Sequence, residues 1–225
     1  MLARLDPFEV RQHSKLHPAR LCFTAAARLA ELYSRARFPQ VALPTSETLY
    51  PPLFDYDTAD TAVTPEQMGA LIHFVHETEG LAPKPIVEIG AYRGSTTLRI
   101  SKETSRQIYA VDPYMGYGGA EDEFQRFQGR TSGVSNIQHI RATSGAAAGL
   151  LSDQISLCFI DAVHDFVNTG FDIESWGAKL APGGILALHD TDNADYPGTR
   201  LAATLAAKRF RLVHHIHDLT ILQRD

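Results

Sequence analysis

The sequence predicts an α/β fold: a doubly wound, mostly parallel seven-stranded sheet with a C-terminal antiparallel hairpin and an N-terminal helical extension. Three observations predict it. From residue 65 onward short apolar runs alternate with helical patterns, which requires right-handed crossovers and helices on both faces of a parallel sheet. The last two apolar runs, Phe210 to Ile216 and Leu219 to Gln223, are separated only by His217 and Asp218, which is hairpin spacing. Residues 1–60 lack the alternation, so residues 61–225 form the main domain and 1–60 an extension.

Taken in order, residues 18–37 read as a helix because Leu21, Ala25, Leu29 and Leu32 recur at helical spacing. Pro39, Pro44, Pro51 and Pro52 then impose an extended linker. Thr64 starts the next helix: it can cap, Pro65 fits the first turn, and Gln67 completes a capping box. Met68, Leu71, Ile72 and Val75 form its apolar face, and Gly80 ends it. Strands are expected near 86–90, 107–112, 136–141, 155–160 and 184–189. Helices are expected near 94–104, 121–128, 145–151, 166–181 and 199–207. Trp176 falls mid-helix and Cys158 within an apolar run, so both read as core. In the hairpin, alternation puts His215 and His217 on one face and His214 on the other. These three read as edge-strand polar residues, not as a ligand cluster.

The segment Glu88-Ile89-Gly90-Ala91-Tyr92-Arg93-Gly94-Ser95-Thr96 runs from a strand through a glycine-spaced turn into a helix. Asp112 closes the following strand, where an acid can take ribose hydroxyls. The pattern therefore suits a nucleotide-like cofactor. A dinucleotide fingerprint needs glycine at the first, third and sixth positions, but Tyr92 and Ser95 stand at the third and sixth. No Lys-Ser or Lys-Thr pair follows, which excludes a P-loop. Glu88 would repel a phosphate but suits an ammonium group. A cofactor with adenine, ribose and an amino-acid tail, S-adenosylmethionine, satisfies all of these conditions. Ser95 and Thr96, opening the helix, are candidates for its carboxylate.

On these residues the chain resembles the class I S-adenosylmethionine-dependent methyltransferases, most of all small O-methyltransferases of the catechol and macrocin types. The resemblance covers about residues 65 to 224 and implies the Rossmann-like methyltransferase fold. It also places Thr143 and Ser144, just past the third strand, where the family contacts adenine.

Open α/β sheets gather chemistry at the carboxyl ends of their strands. There the chain reads Asp161-Ala162-Val163-His164-Asp165 after the fourth strand and His189-Asp190-Thr191-Asp192-Asn193 after the fifth. Asp161 and Asp190 offer the hard oxygens that Mg²⁺ prefers. The resemblance implies that Asp161 binds the metal, beside the cofactor, and that His164 holds the place of the family's basic lysine. A fifth-strand Asp-Asn pair completes the family's metal site, whereas this chain has Asp190-Thr191, so metal dependence and metal type stay open. His189 is a third catalytic candidate; the alternative is a core histidine turned away. Helix-cap and turn roles are the alternatives for Asp161 and Asp190, and Asp165 reads as a helix-start residue. The reaction so implied is O-methylation of a small-molecule hydroxyl. Relatives of the fold that use the cofactor structurally, as hydroxylases or cyclases, and a non-catalytic binding protein are the rival readings.

Composition bounds the partners. The 225 residues carry a net charge of −5 and no long basic run, which speaks against nucleic acid. No apolar run reaches membrane-spanning length, no signal-peptide layout appears, and two cysteines make no disulfide framework. A reducing cytoplasm is the expected setting. His13 and His17 share a helical face without a carboxylate and make a weak ligand pair. The loop Pro113 to Gly119 reads equally as a pocket wall or a plain loop. The extension, with Phe8, Tyr50, Phe54 and Tyr56, reads as a lid, a dimer arm or a swapped helix.

Overall fold

The computed structural model describes residues 5–116 and 119–225; Tyr117 and Gly118 of the Pro113–Gly119 loop, and the first four residues of the extension, lie outside them. Seven strands form one sheet: β1 (Ile86–Ile89), β2 (Ile108–Val111), β3 (Ile137–Ile140), β4 (Ile155–Ile160), β5 (Leu180–Leu188), β6 (Arg211–Ile216) and β7 (Leu219–Gln223). Their order is β3-β2-β1-β4-β5-β7-β6. The first five run parallel, and β7 lies antiparallel to both β5 and β6, as the alternation and the terminal hairpin predict.

The central strands β1 and β4 are buried along their whole length, which explains why they read as unbroken apolar runs. One face packs Met68, Leu71 and Val75 of α3 (Pro65–Glu77) against Ile86, Ile108 and Phe159. The other face packs Ile173 and Trp176 of α7 (Phe166–Gly177) and Ala203 of α8 (Pro197–Ala206) against Val87, Cys158 and Leu186. The remaining helices are α1 (Pro7–Gln12), α2 (Pro18–Arg37), α4 (Ser95–Ser101), α5 (Glu121–Thr131) and α6 (Ser144–Leu150). The capping box of α3 forms as expected: Thr64 Oγ1 accepts from the Gln67 amide and the Gln67 side chain accepts from the Thr64 amide. Among the described residues no helix is long and apolar enough to cross a membrane.

Several expectations are corrected. The helix expected over 166–181 stops at Gly177, and β5 begins at Leu180, earlier than 184, because Leu180 already pairs with Ile155. Gly183, at φ +77°, lets the chain pass Pro182 and rejoin the ladder at Ile185. The helix expected over 94–104 ends at Ser101. His214 and His215 are buried rather than edge-exposed, because the linker covers β6. Ser46 exchanges two hydrogen bonds with the His215 backbone, and Tyr50 packs on His214. Finally, α2 buries Phe23 and Ser34, while Leu21, Leu29 and Leu32, whose spacing predicts the helix, face solvent.

At the carboxyl ends of β1 and β4 the two chains come unusually close. A Cβ on Gly90 would lie 2.0 Å from the carbonyl oxygen of Asp161, and Gly90 has φ +92°. No side chain fits there. Gly90→Ala is expected to destabilise the fold by about 3 kcal/mol or more, combining overpacking with a left-handed alanine. Urea denaturation measures it, and a loss below about 1 kcal/mol would show that the contact yields.

Candidate active site

The turn after β1 is built around one carboxylate. Asp112 Oδ2 accepts from the Tyr92 amide at 3.0 Å and Oδ1 accepts from the Tyr114 amide at 2.9 Å. These bonds hold Tyr92 at φ +45° and Tyr114 at φ +50°, both in the left-handed region. The Tyr114 hydroxyl closes the knot by donating to the Tyr92 carbonyl. Burial pushes the Asp112 carboxyl up, and the two amides oppose that shift. Gly94, at φ +75°, caps α4, where a Cβ would strike the Phe127 ring at 2.8 Å.

Behind the turn lies a cavity of about 370 Å³, the size of a small-ligand site. Glu88, Gly90, Tyr92, Ser95, Thr96, Asp112, Thr143, Ser144 and Asp161 all line it. Glu88 is fully buried and accepts from the Thr97 hydroxyl; burial first, then the charges of Asp161 and Asp112, push its carboxyl up to about 8. Two expected ligand hydroxyls are already engaged: Ser95 Oγ donates to the Asp57 carbonyl at 2.6 Å, and Thr96 Oγ1 lies 3.1 Å from Thr61 Oγ1. Thr143 caps α6, and Ser144 Oγ accepts from the Trp176 indole at 2.8 Å.

The extension supplies the opposite wall. Asp6, Pro7 and Phe8 line the cavity, as do Asp60, Thr61 and Ala62. Asp6 Oδ2 accepts from the Gly145 amide at 3.0 Å, and Arg11 pairs with Asp165 at 3.3 Å. Asp60 takes hydrogen bonds from Arg93 and Arg130, both at 2.7 Å, which hold its carboxyl below the usual range. Asp172, fully buried on α7, is pushed up to about 7 by burial against its bond to Ser144.

At the sheet's edge of the cavity the strand-end residues converge. His164 Nδ1 lies 3.3 Å from Asp190 Oδ2, and its Nε2 lies 3.9 Å from Asp161 Oδ1. His189 Nδ1 sits between the two acids, 3.4 Å from Asp161 Oδ1 and 3.3 Å from Asp190 Oδ2, without hydrogen-bond alignment to either. Its Nε2 is 3.2 Å from Gln67 Oε1. Burial would lower the His189 imidazole, but Asp161 and then Asp190 overcome it and raise it well above 6.5. The two acids thus favour the protonated form of His189. Burial would likewise raise Asp190, yet His189 and His164 draw it down to about 2, and the Asn193 amide donates to its other oxygen at 3.0 Å. Asp190 itself has φ +55°, an uncommon conformation for a residue with a Cβ.

Asp161, His164 and Asp190 can each direct one ligand atom into a group within 4.8 Å of one another. Two carboxylates and an imidazole suit Mn²⁺, Fe²⁺ or Zn²⁺ better than Mg²⁺. Thr191 takes no part, since its hydroxyl donates to the Asp218 carbonyl and meets Thr220 Oγ1, away from the acids. Asp165 caps α7 through the Val167 and Asn168 amides, as expected.

The structure therefore gathers the expected residues, with two adjustments of role. His189 and Asp190 lie outside the cavity lining, Ser95 binds Asp57 of the extension, and Thr96 meets Thr61 just beyond it. The sequence marks Gln67 only as a helix cap, whereas it also faces His189, and it gives no sign of Tyr196, whose ring lies 4.6 Å from that of His164. Asn168 and Asp172, one helical turn apart after Asp165, were a readable signal, being polar groups on a buried face. Asp6 gave none.

Residues 87–191 match the family model described as a methyltransferase domain. No curated protein matches the chain. Among solved structures, the O-methyltransferase NovP is 16% identical, with 73% of this chain and 83% of that one covered at a TM-score of 0.58. CalS11, a TDP-rhamnose 3′-O-methyltransferase, is 15% identical over 87% of this chain and 93% of its own, at 0.56. An rRNA methylase from Streptococcus thermophilus is 18% identical over 70% and 95%, at 0.54. At these identities the likeness is one of fold. The resemblance to class I methyltransferases read from the glycine turn is borne out.

Glu88 yields a pH prediction. An unfolded glutamate titrates near 4.3, whereas Glu88 in the fold titrates at about 8. Its contribution is full below the lower value and is lost as pH rises through the upper one. Asp172 acts in the same direction, up to about 7. Thermal denaturation of Glu88→Gln between pH 5 and 8 is therefore expected to show a flatter decline than the parent. His139, His214 and His215, lowered by burial, act oppositely but cancel in this comparison. Equal slopes would mean that Glu88 is charged throughout.

Proposed function

We propose that this chain, a methyltransferase by its domain over residues 87–191, uses S-adenosylmethionine to methylate a hydroxyl group of a small molecule. The observation that carries this reading is His164, which lines the cavity that the glycine turn opens and is paired from behind with the buried Asp190. A base held by a carboxylate is what deprotonation of a hydroxyl requires.

The cofactor's fit rests on the cavity's donors and acceptors. Each Asp112 oxygen accepts one amide and keeps a lone pair for a ribose hydroxyl. Glu88, neutral when the cavity holds no cation, ionises against an ammonium group. The absent Cβ of Gly90 lets the Asp161 backbone close against the turn, which brings Asp161 to the cavity beside Glu88. When bound, the cofactor supplies an electrophilic methyl group. His164 Nε2 takes the hydroxyl proton as the oxygen attacks, while Asp190 holds Nδ1 and stabilises the resulting imidazolium. His189 keeps Asp190 ionised for that task. The net charge of −5 and the lack of a long basic run support a small acceptor over RNA.

A second reading, metal assistance, is favoured by the grouping of Asp161, His164 and Asp190. These residues would hold a divalent ion that lowers the pKa of the acceptor hydroxyl. His189 already sets a positive charge against both acids, so the ion is expected to bind weakly. Dialysis against EDTA followed by titration with Mn²⁺ separates the two routes.

Calorimetry with S-adenosylhomocysteine near pH 7 is expected to show proton release, read from the dependence of the binding enthalpy on buffer, and Glu88→Gln is expected to abolish it. Absence of binding by folded protein would end the cofactor reading. With a labelled methyl donor and an alcohol or phenol that is turned over, His164→Ala should lower kcat roughly 10²- to 10⁴-fold with KM little changed. An unchanged kcat would remove His164 as the base, and tight cofactor binding without any transfer would favour a hydroxylase- or cyclase-like role.

A further inference from the structure

The helix α2 is turned with its small side inward. Phe23, Ala26 and Ala30 border a space against α7 and α8, and Phe23 and Ser34 are its buried residues. Apart from Phe23, the larger apolar side chains point to water: Leu21 is 51% exposed, Leu29 68%, Leu32 65% and Tyr33 57%. A contiguous exposed face of this kind marks an interaction surface.

Its spacing says what covers it. Cys22, Ala25, Leu29, Leu32 and Ala36 follow one another at intervals of three, four, three and four, and every one is exposed. That is a heptad seam, with Cys22, Leu29 and Ala36 at the first position and Ala25 and Leu32 at the fourth. A helix lying on a lipid surface needs a broad apolar face with basic residues along both borders. Here the arginines Arg28 and Arg35 stand on one border only, and Ala26 and Tyr33 on the other.

We infer that the seam of α2 is a homodimer surface, on which a second copy of this chain packs its own α2 in parallel and in register. The flanking residues select both partner and direction. In a parallel pair, Arg28 of each copy meets Tyr33 of the other, a guanidinium against an aromatic ring. In an antiparallel pair Arg28 and Arg35 would face their own counterparts and lose the contact with Tyr33, a repulsion that the Arg35–Glu31 pair at 2.9 Å offsets only in part. Pairing covers on the order of 600 Å² on each copy, ~1,200 Å² in all, where specific interfaces begin. The helix is already folded against α7 and α8, so association carries little ordering cost, and dimerisation in the micromolar range is expected. This surface is separate from the cavity and independent of the reaction proposed there.

Sedimentation equilibrium of the full chain between about 1 and 100 μM tests the inference. A two-chain mass is expected, reverting to one chain in the double variant Leu29→Glu, Leu32→Glu, with an unchanged circular dichroism spectrum. Parallel register also places the two Cys22 residues level across the seam, while Cys158 is buried. Mild oxidation with diamide should then yield a covalent dimer that Cys22→Ser abolishes. A one-chain mass at every concentration overturns the proposal, as does a two-chain mass that survives the double variant. One-chain protein that floats with anionic vesicles through these leucines also overturns it, assigning the face to lipid.

Discussion

The close approach of β1 and β4 at their carboxyl ends is the constraint on which the site depends. The Asp161 carbonyl occupies the place of a Gly90 side chain, so the turn after β1 and the acid after β4 cannot be positioned independently. The Asp161 amide donates to Ile89, and the Gly90 amide donates to Val111, which continues into Asp112. Three strand ends are thereby locked at the level where the backbone leaves the sheet. The Tyr92 turn, Asp112 and the Asp161–His164 segment, which leave those three ends, face one cavity because the strands offer no other direction.

Crowding acids at one end of a sheet creates an electrostatic problem that is solved separately for each. A buried carboxylate without compensation costs several kcal/mol. Glu88 avoids the cost by holding its proton up to about 8. Asp112 is stabilised by two backbone amides. Asp161 and Asp190 share the His189 imidazolium. These remedies are not interchangeable. A proton can be exchanged for a ligand's ammonium, whereas backbone amides are permanent, so Glu88, unlike Asp112, can respond to a bound ammonium by ionising.

The sheet and the glycine turn were legible because local patterns and tertiary demands agree there. Apolar runs in β1 and β4 coincide with two-sided burial, and positive φ coincides with glycine at residues 90 and 94. Legibility failed where a residue's role comes from a distant segment. The hydroxyls of Ser95 and Thr96 looked free for a ligand, but Asp57 and Thr61, more than thirty residues away, engage them. His214 and His215 looked like edge residues until Ser46 and Tyr50 covered them. The leucines of α2 carried a true helical period, yet a period says that one face is distinct and not what that face meets. His189 shows the same limit from the other side: the sequence placed it at the strand end, but only packing against Gln67 turned its Nδ1 toward the acids.

The two sides of the cavity are held by different forces. The sheet side rests on the buried core, with Ile89, Val111 and Ile160 at or near the strand ends. The extension's side adds to apolar contacts of Val10, Phe23, Tyr50, Leu53 and Tyr56 a set of polar ones: Asp6 with the Gly145 amide, Arg11 with Asp165, and Asp57 and Asp60 with Arg93 and Arg130. Core burial resists local opening, while solvent-accessible ion pairs add little individually. Polar contacts of the same kind hold the Ser95 and Thr96 hydroxyls, through Asp57 of the extension and Thr61 just beyond it. Both residues line the cavity, so a ligand that takes their hydroxyls must displace these bonds, and its own contacts have to exceed what it breaks.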